Sequence, residues 1–136
     1  MLRVASVGSG SKGNATLVAS EETTLLIDCG FPAREMLSRL DQINVDVADI
    51  DAILVTHEHS DHIGGVSAVS RAAGAPIYAT HGTLTSGKLE GARTIVEIES
   101  DSEFVIGDIE VSAITVPHDA NCLLYTSDAA DDIGRG

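Results

Sequence analysis

The sequence has no tryptophan, and aromatic residues account for only 3% of its 136 positions. Hydrophobic residues nevertheless make up 43% of the chain, so we expect a globular core built from aliphatic side chains. A chain of this length forms at most one domain, and it is large enough to bury a hydrophobic core.

Basic residues are also scarce. Eight Lys and Arg stand against 21 Asp and Glu, which gives a formal net charge of −13. A general electrostatic attraction to nucleic acid requires clustered Lys and Arg, so the composition argues against that mode of binding. Chemistry on phosphodiesters stays open, because bound cations invert the local field of an acidic site.

Cysteines and long apolar runs are few as well. Cys29 and Cys122 are the only cysteines, which makes no disulfide framework and favours a reducing cytosol. No apolar run approaches the ~20 residues of a membrane-spanning helix, and the N-terminus lacks a secretory pattern. We therefore expect a cytoplasmic protein with no membrane partner. The sequence leaves its oligomeric state undetermined.

The most informative segment is residues 57–62, which read His-Glu-His-Ser-Asp-His and follow an apolar run predicted to be a buried strand. Imidazole and carboxylate groups are the donors that Zn²⁺, Mn²⁺ and Fe²⁺ accept. His57 and His59 are two residues apart, so in an extended segment they point the same way. Asp61 and His62 follow where the chain turns, and they can face a neighbouring position.

This spacing suits two metal ions side by side, roughly 3.5–4 Å apart as in binuclear hydrolases. A solvated polar loop would explain one histidine but explains three around an aspartate poorly. One ion needs a further nitrogen donor from elsewhere in the chain, and His118, which follows an apolar strand and Pro117, is the obvious candidate. We interpret His81, at another strand end, as a structural or rim residue rather than a ligand.

A second motif lies near the N-terminus, where residues 8–13 satisfy the dinucleotide fingerprint G-x-G-x-x-G and Asp28 follows about twenty residues later. That fingerprint requires a helix directly after the glycines. Residues 15–19 favour a strand instead, residues 20–22 a hairpin turn and residues 24–27 a returning strand. We therefore interpret the glycines as a loop near the metal cluster, where the backbone can approach a substrate closely.

Three further elements are predicted by local patterns. A helix begins at Pro32, with Met36, Leu37 and Leu40 on its apolar face. A second helix follows Gly65 and ends at Gly74. Residues 107–108 form the turn of a β-hairpin between two apolar strands.

The pattern H-x-H-x-D-H at residues 57–62 matches the metal-binding motif of the metallo-β-lactamase-fold hydrolases. Residues 26–30, Leu-Ile-Asp-Cys-Gly, resemble the aspartate–glycine motif that ends a strand in that superfamily. Within it, residues 9–14 and 116–120 are similar to the YycJ-like bacterial branch of small cytoplasmic hydrolases. The resemblance extends over residues 1–121.

This resemblance implies a mixed α/β fold, the αββα sandwich of the superfamily, with only its N-terminal half present. It implies two divalent metal ions, zinc first and manganese or iron as alternatives, bridged by hydroxide. The metal ligands it implies in this chain are His57, His59, Asp61, His62 and His118. Asp61 would also relay a proton to the leaving group, and Asp28 would orient a liganding histidine.

The function implied is metal-dependent hydrolysis of phosphodiester bonds in nucleic acid through a metal-activated hydroxide, a substrate that rests on family analogy alone. The alternatives are a hydrolase of small thioesters or lactones at the same site, and a truncated fragment without activity. The metal-bridging aspartate and final histidine that the family supplies later in its sequence have no match in this chain, so we expect an enzyme by resemblance but a fragment that is itself inactive.

The last segment of the chain, residues 122–136, departs from the family pattern. It resembles the translation of a sequencing-library adapter read in frame. We expect the N-terminal half of the domain to occupy residues 1–121 and residues 122–136 to be a non-native tail. An ordinary short polar tail is the alternative, and the coding DNA distinguishes the two.

Overall fold

The computed structural model describes residues 2–10, 13–56, 59–89, 91, 92, 94–116 and 121–128, and for residues 115, 116 and 121–128 it describes the backbone alone. The strands are β1 (Arg3–Gly8), β2 (Ala15–Ala19), β3 (Thr24–Ile27), β4 (Ala52–Leu54), β5 (Ile77–Thr80), β6 (Ile95–Ile98), β7 (Glu103–Ile106), β8 (Ile109–Val116) and β9 (Asn121–Asp128). The helices are α1 (Ala33–Gln42), α2 (Ser60–Ile63), α3 (Val66–Ala73) and α4 (His81–Thr85), with a 3-10 turn at Val47–Asp49. In the described part of the chain, no helix has the length and hydropathy needed to cross a bilayer.

Six strands form one mixed sheet in the order β1-β2-β3-β4-β5-β6. The first three pair antiparallel, and the pairs from β3 to β6 are parallel. Parallel neighbours require a crossover, which α1 supplies between β3 and β4 and which α2 and α3 supply between β4 and β5. The predicted hairpin at residues 20–22 is confirmed, and β2 follows the glycine motif directly, where a dinucleotide site would need a helix.

Helices α1 and α3 cover one face of this sheet with an aliphatic core. That core includes Leu26 and Ile53 from the sheet, Met36 and Leu40 from α1, and Val69 from α3. The helix predicted after Gly65 is present, and Gly74 ends it in a left-handed conformation at φ 69°. Leu37, predicted on the apolar face of α1, is 38% exposed because it lies toward the edge of the buried stripe.

A second, three-stranded antiparallel sheet of order β7-β8-β9 packs on the other face. Leu25 and Leu54 of the first sheet share a buried cluster with Ile109 and Val111 of the second. The predicted hairpin turn at residues 107–108 is confirmed, since Ile106 and Ile109 are paired across it. One helical layer and two stacked sheets therefore confirm the mixed α/β fold and correspond to part of the αββα sandwich.

All of strand β9 after its first residue lies in the segment predicted to be non-native. Its backbone pairs antiparallel with β8 from Asn121 to Asp128. The division of the chain into residues 1–121 and a foreign tail 122–136 stays a prediction, and the coding DNA is its test.

Candidate metal centre

The site begins where two neighbouring parallel strands end. Ile27 of β3 and Leu54 of β4 are in register, so the residues that follow them emerge at the same edge of the sheet. The backbone N–H of Asp28 donates to the carbonyl of Leu54 at 2.8 Å. Carboxyl ends of parallel strands are the usual place for a ligand site in such sheets, because the loops that follow them converge there.

The Asp28 side chain is buried at this edge and makes three polar contacts. It is 5% exposed and adopts φ 63°, a left-handed conformation that aspartate tolerates better than most residues. Its Oδ1 accepts the Thr56 backbone N–H at 2.8 Å, and its Oδ2 accepts the Thr56 hydroxyl at 2.6 Å. The same Oδ2 lies 2.8 Å from Nδ1 of His62.

The Asp28 contact fixes the tautomer of His62. An ionised carboxylate only accepts hydrogen bonds, so Nδ1 of the imidazole carries the hydrogen and Nε2 of the neutral ring is a lone-pair donor. A carboxylate on the far ring nitrogen is the arrangement that orients metal-binding histidines in proteins. The structure thus places Asp28 where the resemblance implies a histidine-orienting carboxylate.

Asp61 and His62 lie together on the short helix α2. His59 precedes this helix, and its carbonyl accepts the backbone N–H groups of His62 and Ile63 at 2.9 and 3.0 Å. The carboxylate Oδ2 of Asp61 is 3.6 Å from Nε2 of His62. One oxygen and one nitrogen donor at this separation fit the ligand preferences of a divalent transition-metal ion.

The other predicted ligands do not join this pair within the described residues. His59 has an exposed side chain, and no group of three His, Cys, Asp or Glu that could hold a metal ion occurs in the described ranges. His57 and His118 lie outside the described residues, so their predicted roles stay predictions. His81 is exposed and lies 3.2 Å from Glu97 on β6, in keeping with its interpretation as a rim residue.

Asn14, to which the sequence analysis gave no role, is part of the site. Its backbone N–H donates to the Asp61 carbonyl at 2.7 Å, and its side-chain Nδ2 lies 3.1 Å from Asp61 Oδ2. The same Nδ2 is 3.3 Å from His62 Nε2. The signal in the sequence was its position between the glycine motif and β2, as the last residue of the segment 9–14 that resembles the family.

Residues 28–30 also brace helix α2 through the backbone. Cys29 donates its N–H to the His62 carbonyl and accepts the Gly65 N–H, each at 2.8 Å. A Cβ on Gly30 would overlap the Asp61 carbonyl. The strand end therefore sets the position of α2 through direct backbone contact, with no space for an intervening side chain.

The buried thiol of Cys29 is expected to react slowly. Burial disfavours the thiolate, and together with the nearby negative charge of Asp28 it raises the pKa of Cys29 from 9.0 to about 11. At pH 8, in a Cys122→Ser background, we expect Ellman's reagent to modify Cys29 about 100-fold more slowly in the native chain than in urea. The thiolate is the reacting form, and a pKa higher by two leaves about 100-fold less of it at this pH. The native rate should rise with pH up to about 11. Equal rates of modification in native and unfolded chains would show that the Cys29 thiol is accessible and that its pKa is not raised.

Similar proteins of known name match most of the chain. It is 34% identical over 122 residues to a protein named exodeoxyribonuclease WalJ from Streptococcus pneumoniae, covering 84% of this chain and 45% of that protein. It is 35% identical over 122 residues to one named exodeoxyribonuclease YycJ from Bacillus anthracis, with the same coverage. The chain thus spans less than half the length of these relatives.

Solved structures show the same fold at lower sequence identity. A metallo-β-lactamase from Cronobacter sakazakii superposes with a TM-score of 0.78 at 20% identity, covering 93% of this chain and 58% of that one. The metallo-β-lactamase fold protein YhfI from Bacillus subtilis superposes with a TM-score of 0.78 at 21% identity, covering 96% of this chain and 60% of that one.

A family model places the chain more broadly. The model for the metallo-β-lactamase superfamily matches residues 8–133, which is most of the chain and includes both the glycine motif and the histidine cluster. The chain belongs to the metallo-β-lactamase superfamily.

Proposed function

We propose that this chain is the N-terminal part of a metal-dependent hydrolase that acts on phosphodiester bonds of nucleic acid. The observation that carries the proposal is the donor pair formed by Asp61 Oδ2 and His62 Nε2, 3.6 Å apart. The His62 ring is held for metal binding by Asp28 at its other nitrogen. His57, His59 and His118 complete the proposed ligand set.

The residues present fit the group that the family implies. Nitrogen and oxygen donors suit zinc, with manganese or iron as alternatives, and we propose two such ions in the whole protein. A divalent cation held there would supply Lewis acidity, which polarises a phosphodiester and lowers the pKa of water to about 7.

Two side chains of this chain, Asp28 and Asp61, have proposed roles in the reaction. In the neutral imidazole, Asp28 selects the tautomer with the hydrogen on Nδ1, which leaves the lone pair of Nε2 directed at the site. We propose that Asp61 accepts a proton and passes it to the leaving group, a role supported by the 3.6 Å separation of its Oδ2 from His62 Nε2.

The substrate class is supported by the two relatives named as exodeoxyribonucleases. The net charge of −13 favours the alternative, hydrolysis of a small thioester or lactone, because it repels a polyanion. We also propose a cytosolic location, in keeping with the free thiol of Cys29.

Metal counting combined with substrate assays tests the proposal. This chain and the full-length protein from its complete open reading frame are each stripped with a chelator, reloaded with zinc or manganese, and analysed for bound metal by elemental analysis. Both are then assayed on end-labelled single- and double-stranded DNA, on a thioester and on a lactone. We expect the full-length protein to bind two equivalents tightly and to release nucleotides, with the chelator and the variant H62A both abolishing the release, whereas this chain alone is expected to be inactive.

The other outcomes separate the alternatives. Turnover of the thioester or lactone without DNA cleavage supports the small-substrate hydrolase. One equivalent or none, without turnover of any substrate, identifies an inactive fragment. DNA cleavage that is indifferent to chelator contradicts metal-dependent hydrolysis.

A further inference from the structure

Asn14 joins two parts of the molecule that the sequence analysis treated separately. It directly follows the glycine motif of residues 8–13, and its side chain reaches the candidate metal centre 47 residues away in sequence. The motif lacks the helix that a dinucleotide site requires, because β2 begins at Ala15. Asn14 is therefore a feature of the sequence that the proposed function has not yet used.

The orientation of the Asn14 amide is determined by its partners. Its Oδ1 accepts the backbone N–H of Gly10 at 3.1 Å, and only the carbonyl end of the amide can do so. The NH2 group must therefore face the other way. There Nδ2 lies 2.9 Å from the Gly10 carbonyl and 3.1 Å from both the carbonyl and Oδ2 of Asp61.

The NH2 group has more acceptors than hydrogens. It carries two hydrogens, and His62 Nε2 at 3.3 Å is a fourth acceptor within reach. A cation held by His62 Nε2 takes the lone pair of that nitrogen. The two hydrogens are then left for Gly10 and Asp61, which fixes the Asp61 carboxylate beside the histidine.

From this geometry we propose that Asn14 is a positioning residue, whose amide NH2 holds the Asp61 carboxylate beside His62 Nε2 and couples cation binding to the backbone at Gly10. The inference rests on the proposed function, because it assumes that Asp61 and His62 bind the cation. By linkage, if cation binding strengthens the hydrogen bonds between Asn14 and Gly10, then fixing the backbone at Gly10 strengthens cation binding by the same factor.

The side chain can be removed without breaking the backbone connection. The N–H of Asn14 donates to the Asp61 carbonyl at 2.7 Å, and its carbonyl accepts the Gly30 N–H at 3.1 Å. Both bonds use backbone atoms, so any residue except proline, which lacks the N–H, can make them. A variant at this position therefore tests the amide and keeps the link between β2 and α2.

Cation affinity of the variant N14A is the first test. Zinc binding to the chain is measured by competition with a chromophoric chelator, and folding is checked by urea unfolding in the absence of metal. We expect binding to weaken about 10–100-fold, the range found when partners that orient metal ligands are removed. The control N44G removes another asparagine side chain, in the left-handed turn after α1 at φ 60°, and should bind within about twofold of the parent.

A second measurement needs no variant and so does not depend on the folding of N14A. The side-chain amide protons of Asn14 are followed by NMR in the parent chain during a titration with zinc. We expect both resonances to shift with the same midpoint as cation binding, and the Gly10 backbone N–H to become slower in hydrogen exchange. The side-chain amide of Asn44 serves as the internal control and should stay unchanged.

The outcomes separate this inference from the proposed function. A parent chain that binds zinc while N14A binds it equally well overturns the role of Asn14 and leaves the metal site standing. Side-chain amide resonances of Asn14 that do not shift when zinc binds also overturn the role of Asn14 and leave the metal site standing. A parent chain that binds no zinc overturns both proposals.

Discussion

Gly30→Ala is expected to lower the free energy of unfolding by about 3 kcal/mol or more, the upper range for overpacking a tightly packed site. A Cβ at this position would overlap the carbonyl of Asp61, which is backbone and cannot swing away. The strand end at residues 28–30 and helix α2 would have to separate. The hydrogen bonds of Cys29 to His62 and Gly65 would be lost or lengthened with them.

Urea unfolding measures this effect, as a midpoint about 1–3 M lower than that of the parent. Gly82→Ala is the matched control, because Gly82 lies inside α4 and nothing is within 4 Å of a Cβ built there. Alanine in a helix should stabilise the chain by about 0.5–1 kcal/mol. A midpoint for G30A equal to that of the parent would show that α2 does not rest directly on the strand end.

The parts of the fold that the sequence predicted well are those that local patterns specify. The turn at residues 107–108 and the turn at residues 20–22 each join strands that are adjacent in the chain, so loop length and turn residues were sufficient. The left-handed end of α3 at Gly74 was likewise readable, because only glycine adopts that conformation cheaply. The metal-binding role of the cluster at residues 57–62 stays a prediction, based on the few structural uses of three histidines so close together.

The contacts that make the site could not be predicted from local patterns. Asp28 adopts φ 63° and reaches His62 34 residues later, and both features depend on how β3 and β4 align. Asn14 was missed for the same reason, since the β2–β3 hairpin and the α1 crossover separate it from its partner Asp61 along the chain. The two hairpin turns also contact each other, since the Ser20 hydroxyl in the turn at residues 20–22 donates a 2.5 Å hydrogen bond to Asp108 in the turn at residues 107–108. Side-chain partners across the sheet follow from register, which the sequence alone does not fix.

Asp28→Asn is expected to weaken zinc binding about 10–100-fold while leaving the fold largely intact. Asparagine is nearly the same size, tolerates φ 63°, and can still accept the Thr56 backbone N–H through its Oδ1. Its NH2 group then replaces Oδ2 opposite Nδ1 of His62. That nitrogen must now accept a hydrogen bond, so the ring hydrogen moves to Nε2 and the lone pair needed for a cation is lost.

Two measurements on D28N distinguish this cause from a loss of charge. The variant D51N removes the same charge from an exposed carboxylate that caps the Thr24 N–H, so any difference between the two in chelator competition reflects position. NMR of the His62 ring nitrogens reports which of them carries the hydrogen, and it should change in D28N alone. If D28N binds zinc as well as D51N, or if His62 keeps its hydrogen on Nδ1, then Asp28 does not control the donor atom. The pairing of Asp28 with His62 would in that case serve the fold rather than the metal centre, and the cation would have to depend on the other histidines of the cluster.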